Sequence, residues 1–367
     1  MMNDDRGEPP ENKVEDYIRD RSDAQMYMRP RIPVAILGAT GSVGQRLIQL
    51  LHKHPWFDLV AITASDKSAG KKYRDAATWM LATPIPEEAA KLTLLPTDAE
   101  LPCKIVFSAL TSSIAGPIET QFAERGCVVI SCASAHRKSP NVPMIIPEVN
   151  MDQLEMVKAQ GFPNGGMIVT KPNCNVIGLC LALRPLQLEF GLEAVDVVTM
   201  QSISGAGFPG VPSLSIIDNI IPSLPEEEEK VENETVKVLG CSFAISASCT
   251  RVPVTEGHLE LVSVKLKQKA TIDQVKRAFR EFVPPVQEMQ LPSSPREVIH
   301  YFEELDYPQP KLHRDFEKGM CVAIGGLRQC PLFDYKCTVL SHNTIRGAAG
   351  GAILTAELLV KKGFVFW

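Results

Sequence analysis

The sequence lacks an excess of positive charge and any long apolar run. Its 367 residues include 38 Lys and Arg against 43 Asp and Glu, a formal net charge of −5. Such a chain has no basic field to attract nucleic acid or an anionic membrane surface. No uninterrupted apolar stretch approaches the roughly 20 residues that a helix needs to cross a bilayer. We therefore expect no nucleic-acid partner and no membrane.

Paired cysteines are missing as well. The chain has ten cysteines, but none forms a Cys-x-x-Cys pair or a Cys/His spacing typical of a metal site. In a chain of this length, scattered cysteines are typical of a reducing compartment and not of a disulfide framework. We expect no metal site and a cytoplasmic location.

Residues 1–30 lack the features of a targeting segment. They have neither the basic start and apolar core of a secretory signal nor the acid-poor composition of a mitochondrial transit peptide. The helical spacing of Val14, Tyr17 and Ile18 leaves a short amphipathic helix open as an alternative. We predict a disordered N-terminal extension.

A glycine-rich turn between a predicted strand and a predicted helix is the first positive signal. The strand covers residues 32–37, the helix 45–54, and a second strand 59–64. Glycines let the backbone approach a pyrophosphate, which a helix N-terminus attracts. Strands and helices keep alternating up to residue 170, which predicts a parallel sheet and a Rossmann domain; a chance glycine turn is the alternative. The residues expected to hold the cofactor are Gly38, Thr40, Gly41, Ser42, Val43 and Gly44.

The end of the second predicted strand bears on the choice between NAD and NADP. NAD-binding folds usually place Asp or Glu there to hold the ribose hydroxyls. Here Ser65 and Ser68 flank Asp66 and Lys67, and two more lysines follow. Hydroxyls and lysines suit a 2′-phosphate, so we expect NADP, with Ser65 and Ser68 as contacts. Asp66 conflicts with this prediction unless it points to solvent, and a solvated loop is the alternative.

The most informative stretch is Lys171-Pro172-Asn173-Cys174-Asn175. It joins a predicted strand, 167–170, to an apolar run that predicts a buried helix, so Cys174 lies at a helix N-terminus. Free N–H groups and the helix dipole favour the thiolate there, and the thiolate is the nucleophile. Asn173 or Asn175 can cap the helix or donate to an oxyanion. The alternative is that Cys174 packs as a small buried hydrophobe.

A second chemical motif runs from Arg251 to His258 and reads RVPVTEGH. A cysteine nucleophile needs a base, which is usually histidine. Arginine can hold a carboxylate through two hydrogen bonds. Taken alone, a histidine in this setting is more often structural than catalytic, so the motif gains weight only in combination with Cys174.

Beyond Cys174 the pattern changes from alternating strands and helices to mostly strands. Residues 194–202 alternate as an antiparallel strand does, and residues 284–318 are rich in proline and charge. We predict that 284–318 is a surface excursion, either a dimer arm or a lid. A last Ala- and Gly-rich helix over 343–362 would be capped by Asn343. The other predicted elements are strands at 244–253, 259–268, 320–328 and 335–341 and helices at 226–239 and 271–282.

Taken together, the motifs resemble those of aspartate-semialdehyde dehydrogenases of the fungal and archaeal branch. GATGSVGQR, ASDKSAGKKY, VPMIIPEVN, KPNCN, QSISGAGFPG, RVPVTEGH and SHNTIRGAAGGAILTAELLV occur in the order found in that family, over roughly residues 32–365. The resemblance implies an NADP-binding Rossmann domain (31–170 with 343–367) and an α+β catalytic and dimerisation domain (171–342), in a homodimer or homotetramer.

The resemblance also implies a reaction and residue roles. L-aspartyl-4-phosphate, NADPH and a proton would give L-aspartate 4-semialdehyde, NADP and phosphate, a reversible step toward lysine, threonine, methionine and isoleucine. In this scheme a nucleophile and an acid/base act on an acyl group that an amide orients. An arginine and a glutamate clamp the amino acid, and three residues bind phosphate. The matching positions are Cys174, His258 and Gln201 for catalysis, Arg251 and Glu227 for the clamp, Lys230, Arg137 and Asn173 for phosphate, and Gly205, Gly207 and Asn343 near the nicotinamide.

Several positions depart from the family pattern. Cys132-Ala133-Ser134 replaces an Asn-containing stretch, Gly325-Gly326 replaces a Gly-Arg pair, and Tyr307 and His313 replace charged residues. These departures leave two alternatives open: a paralogue that reduces an acyl thioester, such as malonyl-CoA reductase, and a catalytically inactive homologue. A malonyl-CoA reductase would keep the nucleophile and the histidine but lose the amino-group clamp. Retention of that clamp favours the aspartyl substrate.

Overall fold

The computed structural model describes residues 30–365, so the extension predicted at the N-terminus lies outside the described residues up to position 29. Within the described range, the strands form two six-stranded sheets.

The first sheet is parallel throughout. Its strands are β1 (Ile32–Leu37), β2 (Phe57–Thr63), β3 (Leu94–Leu95), β4 (Ile105–Ser108), β5 (Val128–Ser131) and β6 (Met167–Thr170), in the spatial order β3-β2-β1-β4-β5-β6. Strands β4, β5 and β6 are buried along their whole length, as expected for a sheet covered on both faces. The strand order reverses between β1 and β4, and ligands bind beyond the carboxyl ends of the strands at such a point. The predicted parallel sheet is confirmed.

The second sheet is mixed. Its strands are β7 (Leu192–Gln201), β8 (Ala244–Arg251), β9 (His258–Leu266), β10 (Ile299–Tyr301), β11 (Val322–Gln329) and β12 (Tyr335–Ser341), in the order β10-β11-β12-β9-β7-β8. Strand β7 pairs antiparallel with β9, as predicted, but parallel with β8. Burial alternates along β7 and β9, so one face of this sheet is packed and the other is open.

Six longer helices pack against the sheets, and shorter helical segments lie in the connections. The longer helices are α1 (Ser42–Leu51), α2 (Ser112–Glu124), α3 (Cys174–Phe190), α4 (Glu227–Leu239), α5 (Ile272–Arg280) and α6 (Gly350–Lys361). The short α-helices are Tyr73–Ala76, Glu87–Ala90, Pro147–Asn150, Ser213–Ile216 and Pro310–His313. The 3₁₀ segments are Met151–Ala159, Pro163–Gly165, Ile203–Ala206, Pro285–Met289 and Phe316–Gly319, and a π-helical turn covers Ile345–Ala349.

Helix α3 carries the predicted nucleophile and is apolar on nearly every side. Its residues from Asn175 to Leu183 are all buried, which is typical of a core helix and not of an amphipathic surface helix. Leu179 and Leu183 share one core cluster with Val197 of β7 and Val262 of β9. Packing on the second sheet therefore fixes the direction of α3 and the place of its first residue, Cys174.

Two sequence-based predictions about elements were wrong. Asn343 does not cap a helix, because the helical structure begins at Ile345 and the Asn343 side chain bonds to two other loops. Residues 284–318 are not simply a surface excursion, since Ile299–Tyr301 is the edge strand beside β11.

Candidate active site

A thiol and an imidazole meet where the two sheets adjoin. Sγ of Cys174, the first residue of α3, lies 3.2 Å from Nε2 of His258, the first residue of β9. His258 is fully buried. The two motifs that the sequence offered separately are thus in direct contact, which the interpretation of Cys174 as an ordinary core residue does not explain.

The start of α3 is held by its own cap and by a close approach of the chain. Asn173 accepts a hydrogen bond from the Asn175 N–H at 2.9 Å, so of the two capping candidates Asn173 is the cap. The π-helical turn packs directly on the nucleophile, because a Cβ added to Gly347 would lie 2.8 Å from Cβ of Cys174. Only glycine at position 347 allows this approach.

The loop after β7 positions His258. The Ser202 N–H donates to Nδ1 of His258 at 3.0 Å, and the Ser202 hydroxyl lies 3.2 Å from the same nitrogen. A Cβ on Gly205 would lie 2.8 Å from Nη1 of Arg251 and 3.0 Å from Cε1 of His258. Gly205 therefore lets this loop pack against both functional side chains, a reason that the sequence did not reveal.

Arg251 and Gln201 end neighbouring strands. They are paired in the parallel register of β7 and β8, so both side chains reach the same edge of the sheet. Arg251 Nη1 donates to the Ser202 carbonyl oxygen at 2.8 Å, and Gln201 is 2% exposed. The Gln201 amide donates only a long contact of 3.4 Å to Thr199 Oγ1. This places a guanidinium and a weakly bonded amide beside the thiol–imidazole pair.

The predicted amino-group ligand, Glu227, lies in the first turn of α4 and contacts two predicted phosphate ligands. Its carboxylate accepts from Nδ2 of Asn173 at 2.9 Å and from Nζ of Lys230 at 3.2 Å. Glu227 is thus joined to the residue next to the nucleophile. The structure brings all three predicted residues to one place.

Glu234 is a site residue that the sequence analysis missed. It lies on α4 one to two turns beyond Glu227 and Lys230, accepts from Arg137 Nη1 at 3.0 Å, and accepts from the Asn173 N–H at 2.6 Å. One buried carboxylate therefore ties the predicted phosphate-binding arginine to the turn before Cys174. The spacing 227, 230 and 234 along one helix face was the signal that could have revealed it.

Lys171 was also missed as a single residue, although its motif was singled out. It is 1% exposed, and its Nζ donates to the Gly347 carbonyl oxygen at 3.0 Å. Burial lowers the pKa of Lys171 to about 8. The lysine thus holds the π-helical turn that packs against the nucleophile.

The protonation state of Cys174 differs from the sequence-based expectation. Burial raises the pKa of Cys174 to about 12, and the Glu227 carboxylate acts in the same direction. Arg137, Lys171 and Arg251 lower the pKa, but burial outweighs them. Burial of the sulfur therefore opposes the thiolate that the helix N-terminus favours.

The glycine-rich turn after β1 forms a backbone cradle at the switch point of the first sheet. Gly38 has φ +78°, and a Cβ there would lie 2.8 Å from the Ala109 carbonyl oxygen beyond β4. A Cβ on Gly44 would lie 2.4 Å from the Gly38 carbonyl oxygen, whereas Gly41 has ordinary space. No side chain caps α1, so the N–H groups of its first turn remain available to an anion.

A cleft of about 540 Å³ lies between α1 and the loop after β7. Its walls include Ser42 of α1 and Ser204 and Gly207 of the loop after β7. Asn343 ties the inner wall together, because it donates to Ser204 Oγ at 2.8 Å and accepts from the Gly257 N–H at 2.9 Å. Of the residues predicted near the nicotinamide, Gly207 lines this cleft, and Asn343 is bonded to Ser204 in its wall.

The predicted 2′-phosphate contacts lie at the carboxyl end of β2. The Ser65 carbonyl oxygen accepts from the Ser68 and Ala69 N–H groups, which closes a tight turn. Asp66 is exposed on this turn. The roles of Ser65 and Ser68 stay predictions.

Comparisons with known proteins agree with the geometry. Family models described as the semialdehyde dehydrogenase NAD binding domain and dimerisation domain match residues 33–157 and 183–346. Aspartate-semialdehyde dehydrogenase of Archaeoglobus fulgidus is 45% identical over 347 residues, which cover 91% of this chain and 100% of the relative. The Aspergillus fumigatus enzyme of the same name is 43% identical and covers 93% of this chain and 100% of its own length. The chain belongs to the aspartate-semialdehyde dehydrogenase family.

Family membership confirms the resemblance seen in the sequence. The crystal structure of aspartate semialdehyde dehydrogenase with NADP from Candida albicans superposes with a TM-score of 0.85 at 38% identity, covering 91% of this chain and 100% of that one. The predicted fold class, a Rossmann domain with an α+β catalytic and dimerisation domain, is confirmed. The domain boundaries and the individual residue roles stay predictions.

Membrane-spanning helices, metal sites and disulfides were the three features not expected from the sequence. Of the helices between residues 30 and 365, none combines the length and the apolar character that crossing a membrane requires. In the same range, no group of three or more His, Cys, Asp and Glu residues is arranged to hold a metal ion. All ten cysteines are free thiols.

Proposed function

We propose that the chain catalyses the reversible, NADPH-dependent reductive dephosphorylation of L-aspartyl-4-phosphate to L-aspartate 4-semialdehyde. The observation that carries this proposal is the contact between Cys174 Sγ and His258 Nε2 beside a guanidinium and a carboxylate from other elements. A nucleophile next to a cationic and an anionic group suits an α-amino acid that carries an activated side-chain carbonyl.

Acyl transfer to Cys174 is the first chemical step. The sulfur attacks the acyl carbon, the bond from that carbon to the phosphate oxygen breaks, and a thioester and phosphate result. The amide of Gln201, buried at the edge of the sheet and weakly bonded within the chain, orients the acyl group. Backbone N–H groups in the first turn of α3 can stabilise the negative charge that develops on the acyl oxygen.

Arg251 and Glu227 act as the amino-acid clamp. Arg251 donates a hydrogen bond from one nitrogen to the Ser202 carbonyl oxygen. Its remaining N–H groups can bind an α-carboxylate. Glu227 offers its carboxylate to the α-ammonium group. Because a malonyl thioester has no amino group, this clamp favours the aspartyl substrate over malonyl-CoA.

The phosphate is expected between Arg137, Lys230 and Asn173. Among the described residues, the buried Nε–H of Arg137 has no hydrogen-bond partner, which fits a site for an anion. Glu234 and Glu227 balance Arg137 and Lys230. The pocket therefore does not carry two unpaired buried cations.

The residues around the first turn of α1 fit a dinucleotide. Gly38 and Gly44 leave space that a Cβ would fill, and the first turn of α1 has no side-chain cap. Gly41, Ser42 and Val43 would face the pyrophosphate, and Gly205, Gly207 and Asn343 would border the nicotinamide. When bound, NADPH supplies the hydride that reduces the thioester. The C. albicans relative holds NADP, and we propose the same preference here, with Ser65 and Ser68 at the 2′-phosphate.

A second copy of the chain would cover the open face of the second sheet. Val198 and Met200 of β7 lie opposite Leu261 and Leu259 of β9 on this face, and Leu261 is 47% exposed. Contiguous apolar side chains of this kind mark an interface. The family model for this region is described as a dimerisation domain. We propose a homodimer or homotetramer that is located in the cytoplasm. Each chain would have two domains: residues 31–170 with 343–367 form one, and residues 171–342 form the other.

The experiment follows NADPH formation from L-aspartate 4-semialdehyde, NADP and phosphate, and NADPH consumption with malonyl-CoA. We expect phosphate-dependent turnover of the semialdehyde and its loss, by at least about 10⁴-fold, in Cys174→Ala, because the thioester is obligatory. Cys180→Ala, which removes a buried thiol from the same helix, is the matched control and should keep turnover. Faster reduction of malonyl-CoA, or phosphate-dependent turnover by Cys174→Ala, would contradict the proposal.

A further inference from the structure

We propose that Glu119, a buried carboxylate on α2, is a positioning residue for the phosphate site: through Ser131 it fixes the peptide bond whose carbonyl oxygen holds the Arg137 guanidinium. The inference rests on the proposed function in one respect, the binding of phosphate by Arg137. Glu119 would act through Arg137 and would not touch the reacting atoms.

Two acceptors hold the Arg137 guanidinium. Nη1 donates to Glu234 Oε1 at 3.0 Å, and Nη2 donates to the Cys132 carbonyl oxygen at 3.0 Å. The Nε–H is buried and, within the part of the chain that the structure describes, has no hydrogen-bond partner. Together with Glu234, the direction of the Cys132 carbonyl therefore decides how Arg137 presents its remaining N–H groups to a phosphate.

The peptide bond between Cys132 and Ala133 is fixed at its N–H as well. The Ala133 N–H belongs to the same planar unit as the Cys132 carbonyl, and in a trans peptide bond the two groups point in opposite directions. This N–H donates to the Ser131 hydroxyl oxygen at 3.2 Å. The hydrogen bond at the N–H thus sets the direction of the carbonyl that holds Arg137.

Glu119 orients the Ser131 hydroxyl. A hydroxyl group has one proton and two lone pairs. The Ser131 hydroxyl donates its proton to Glu119 Oε1 at 2.7 Å, which leaves a lone pair for the Ala133 N–H. The Ala133 carbonyl oxygen, at 3.5 Å, is the weaker acceptor for that proton. The carboxylate, the hydroxyl and the peptide bond therefore form one chain of hydrogen bonds that ends at Arg137.

The loop after β5 meets α2 a second time beside the same carboxylate. Nε2 of His136, the residue before Arg137, donates to the Gly116 carbonyl oxygen at 3.2 Å and lies 3.6 Å from Glu119 Oε2. Glu119 and Ser131 are fully buried, and burial raises the pKa of Glu119. Either protonation state of this carboxyl group leaves an oxygen that can accept from Ser131.

A purely structural role would not need an acidic residue at this position of α2. The other buried residues of the helix, Ala115, Phe122 and Ala123, are apolar and belong to one core cluster. Burying a carboxylate among them costs free energy unless its oxygens are hydrogen-bonded. Glu119 is the acidic exception, and its contacts are with residues of the loop that carries Arg137.

The first test separates phosphate binding from the other steps. Ser131→Ala removes the hydroxyl between Glu119 and the Ala133 N–H. In the oxidation of L-aspartate 4-semialdehyde, we expect the KM for phosphate to rise about fivefold, because Arg137 is no longer aligned. The kcat at saturating phosphate and the KM for the semialdehyde should stay within about twofold of wild type.

Ser134→Ala is the matched control for this variant. It also removes a serine hydroxyl that ties the loop to α2, because Ser134 Oγ lies 2.8 Å from Ser112 Oγ. This bond does not belong to the chain that leads to Arg137, so the KM for phosphate should stay at the wild-type value. An equal rise in Ser134→Ala and Ser131→Ala would show that any loosening of the loop suffices, and would overturn the proposal.

The second test changes the carboxylate itself. Glu119→Gln keeps an oxygen that can accept from Ser131 and should keep the KM for phosphate, whereas Glu119→Leu, of similar size but without an acceptor, should raise it as Ser131→Ala does. Wild-type values in Glu119→Leu, with circular dichroism showing that it is folded, would refute a role for the carboxylate. If Glu119→Leu does not fold, Ser131→Ala and its control decide the matter.

The third test asks whether Ser131 acts through Arg137. In an Arg137→Ala background, Ser131→Ala should lower kcat/KM for phosphate no further, since two changes along one chain of contacts are not additive. A further loss of the size seen in the wild-type background would overturn the proposal. Semialdehyde oxidation that does not depend on phosphate in the wild type would contradict the proposed function and this inference with it. Phosphate-dependent turnover with an unchanged KM for phosphate in Ser131→Ala would overturn this inference alone.

Discussion

Two helix N-termini at the same edge of the parallel sheet behave in opposite ways. Helix α1 follows β1 through the glycine-rich turn, has no side-chain cap, and borders an open cleft. Helix α3 follows β6, is capped by Asn173, and begins at a half-buried cysteine with charged side chains around it. Both use the same strand–turn–helix unit.

The difference shows that a helix N-terminus is only a starting point for chemistry. At α1 the glycines keep the first turn bare, so its dipole and N–H groups are free for a mobile anion. At α3 burial outweighs the neighbouring cations and raises the pKa of Cys174 to about 12. The positive end of a helix thus makes an anion site where it meets solvent, whereas in the interior it acts only together with neighbouring charges.

The largest expected effect comes from adding a Cβ at the uncapped N-terminus of α1. In Gly44→Ala the new Cβ would lie 2.4 Å from the Gly38 carbonyl oxygen. Because this oxygen belongs to the backbone, the glycine-rich turn itself would have to shift. We expect NADP affinity, measured by fluorescence titration, to fall roughly 100-fold, about 2.7 kcal/mol. Gly116→Ala in α2 is the control, since its Cβ would meet only Ala135 at 3.7 Å. Wild-type affinity in Gly44→Ala would show that the bare turn does not bind the cofactor.

A smaller effect should follow from removing Asn173, the N-cap of α3. Asn173→Ala loses the bond from the Asn175 N–H and the bond to Glu227. We expect a loss of about 1 kcal/mol in the free energy of unfolding, and a fall in kcat of about tenfold as the sulfur shifts. Urea unfolding and steady-state assays measure the two.

Asn173→Ser separates the two contacts. Serine is also a good cap but cannot donate to Glu227 through an amide. Stability close to wild type in Asn173→Ser, with stability lost in Asn173→Ala, is the expected pattern. If both variants lose stability equally, capping is not what Asn173 contributes.

Sequence reasoning found the elements whose signals are local. The glycine turn and KPNCN each place a turn between a strand and a helix within a few residues, and both elements are confirmed near the predicted bounds. Strand β10 was missed because three residues, Ile299–Tyr301, are too short to show a period in a proline-rich segment. Its parallel pairing with β11 is a tertiary contact that no local pattern encodes.

The site residues that were missed depend on contacts distant in sequence. Glu234 acts on Arg137, 97 residues away, and Lys171 bonds to Gly347, 176 residues away. Asn343 satisfied the local rule for a cap, yet its amide bonds to Ser204 and Gly257, so tertiary hydrogen bonds overrode the local preference. The thiolate was predicted from the helix start alone, because burial cannot be read from five residues.

The smallest effect, a few-fold change in the labelling rate of Cys174, is expected from removing one charge beside the N-terminus of α3. Glu227 is the largest charge contribution that raises the pKa of Cys174, so Glu227→Gln should lower that pKa. Because the thiolate fraction below the pKa increases as the pKa falls, iodoacetamide labelling at pH 8 should be about three- to fivefold faster, which corresponds to roughly half a pKa unit. The KM for L-aspartate 4-semialdehyde should rise in the same variant, since its ammonium group loses a partner.

Glu229→Gln tests whether position matters and not merely charge. It removes the same charge from the same helix, but Glu229 is exposed and pairs with Lys138 at the surface. Solvent screens such a charge, so labelling of Cys174 and the KM should both stay at wild-type values. Equal acceleration in both variants would mean that the overall charge of α4, and not the carboxylate beside Asn173, controls the thiol. The N-terminus of α3 would then differ from the N-terminus of α1 through burial alone.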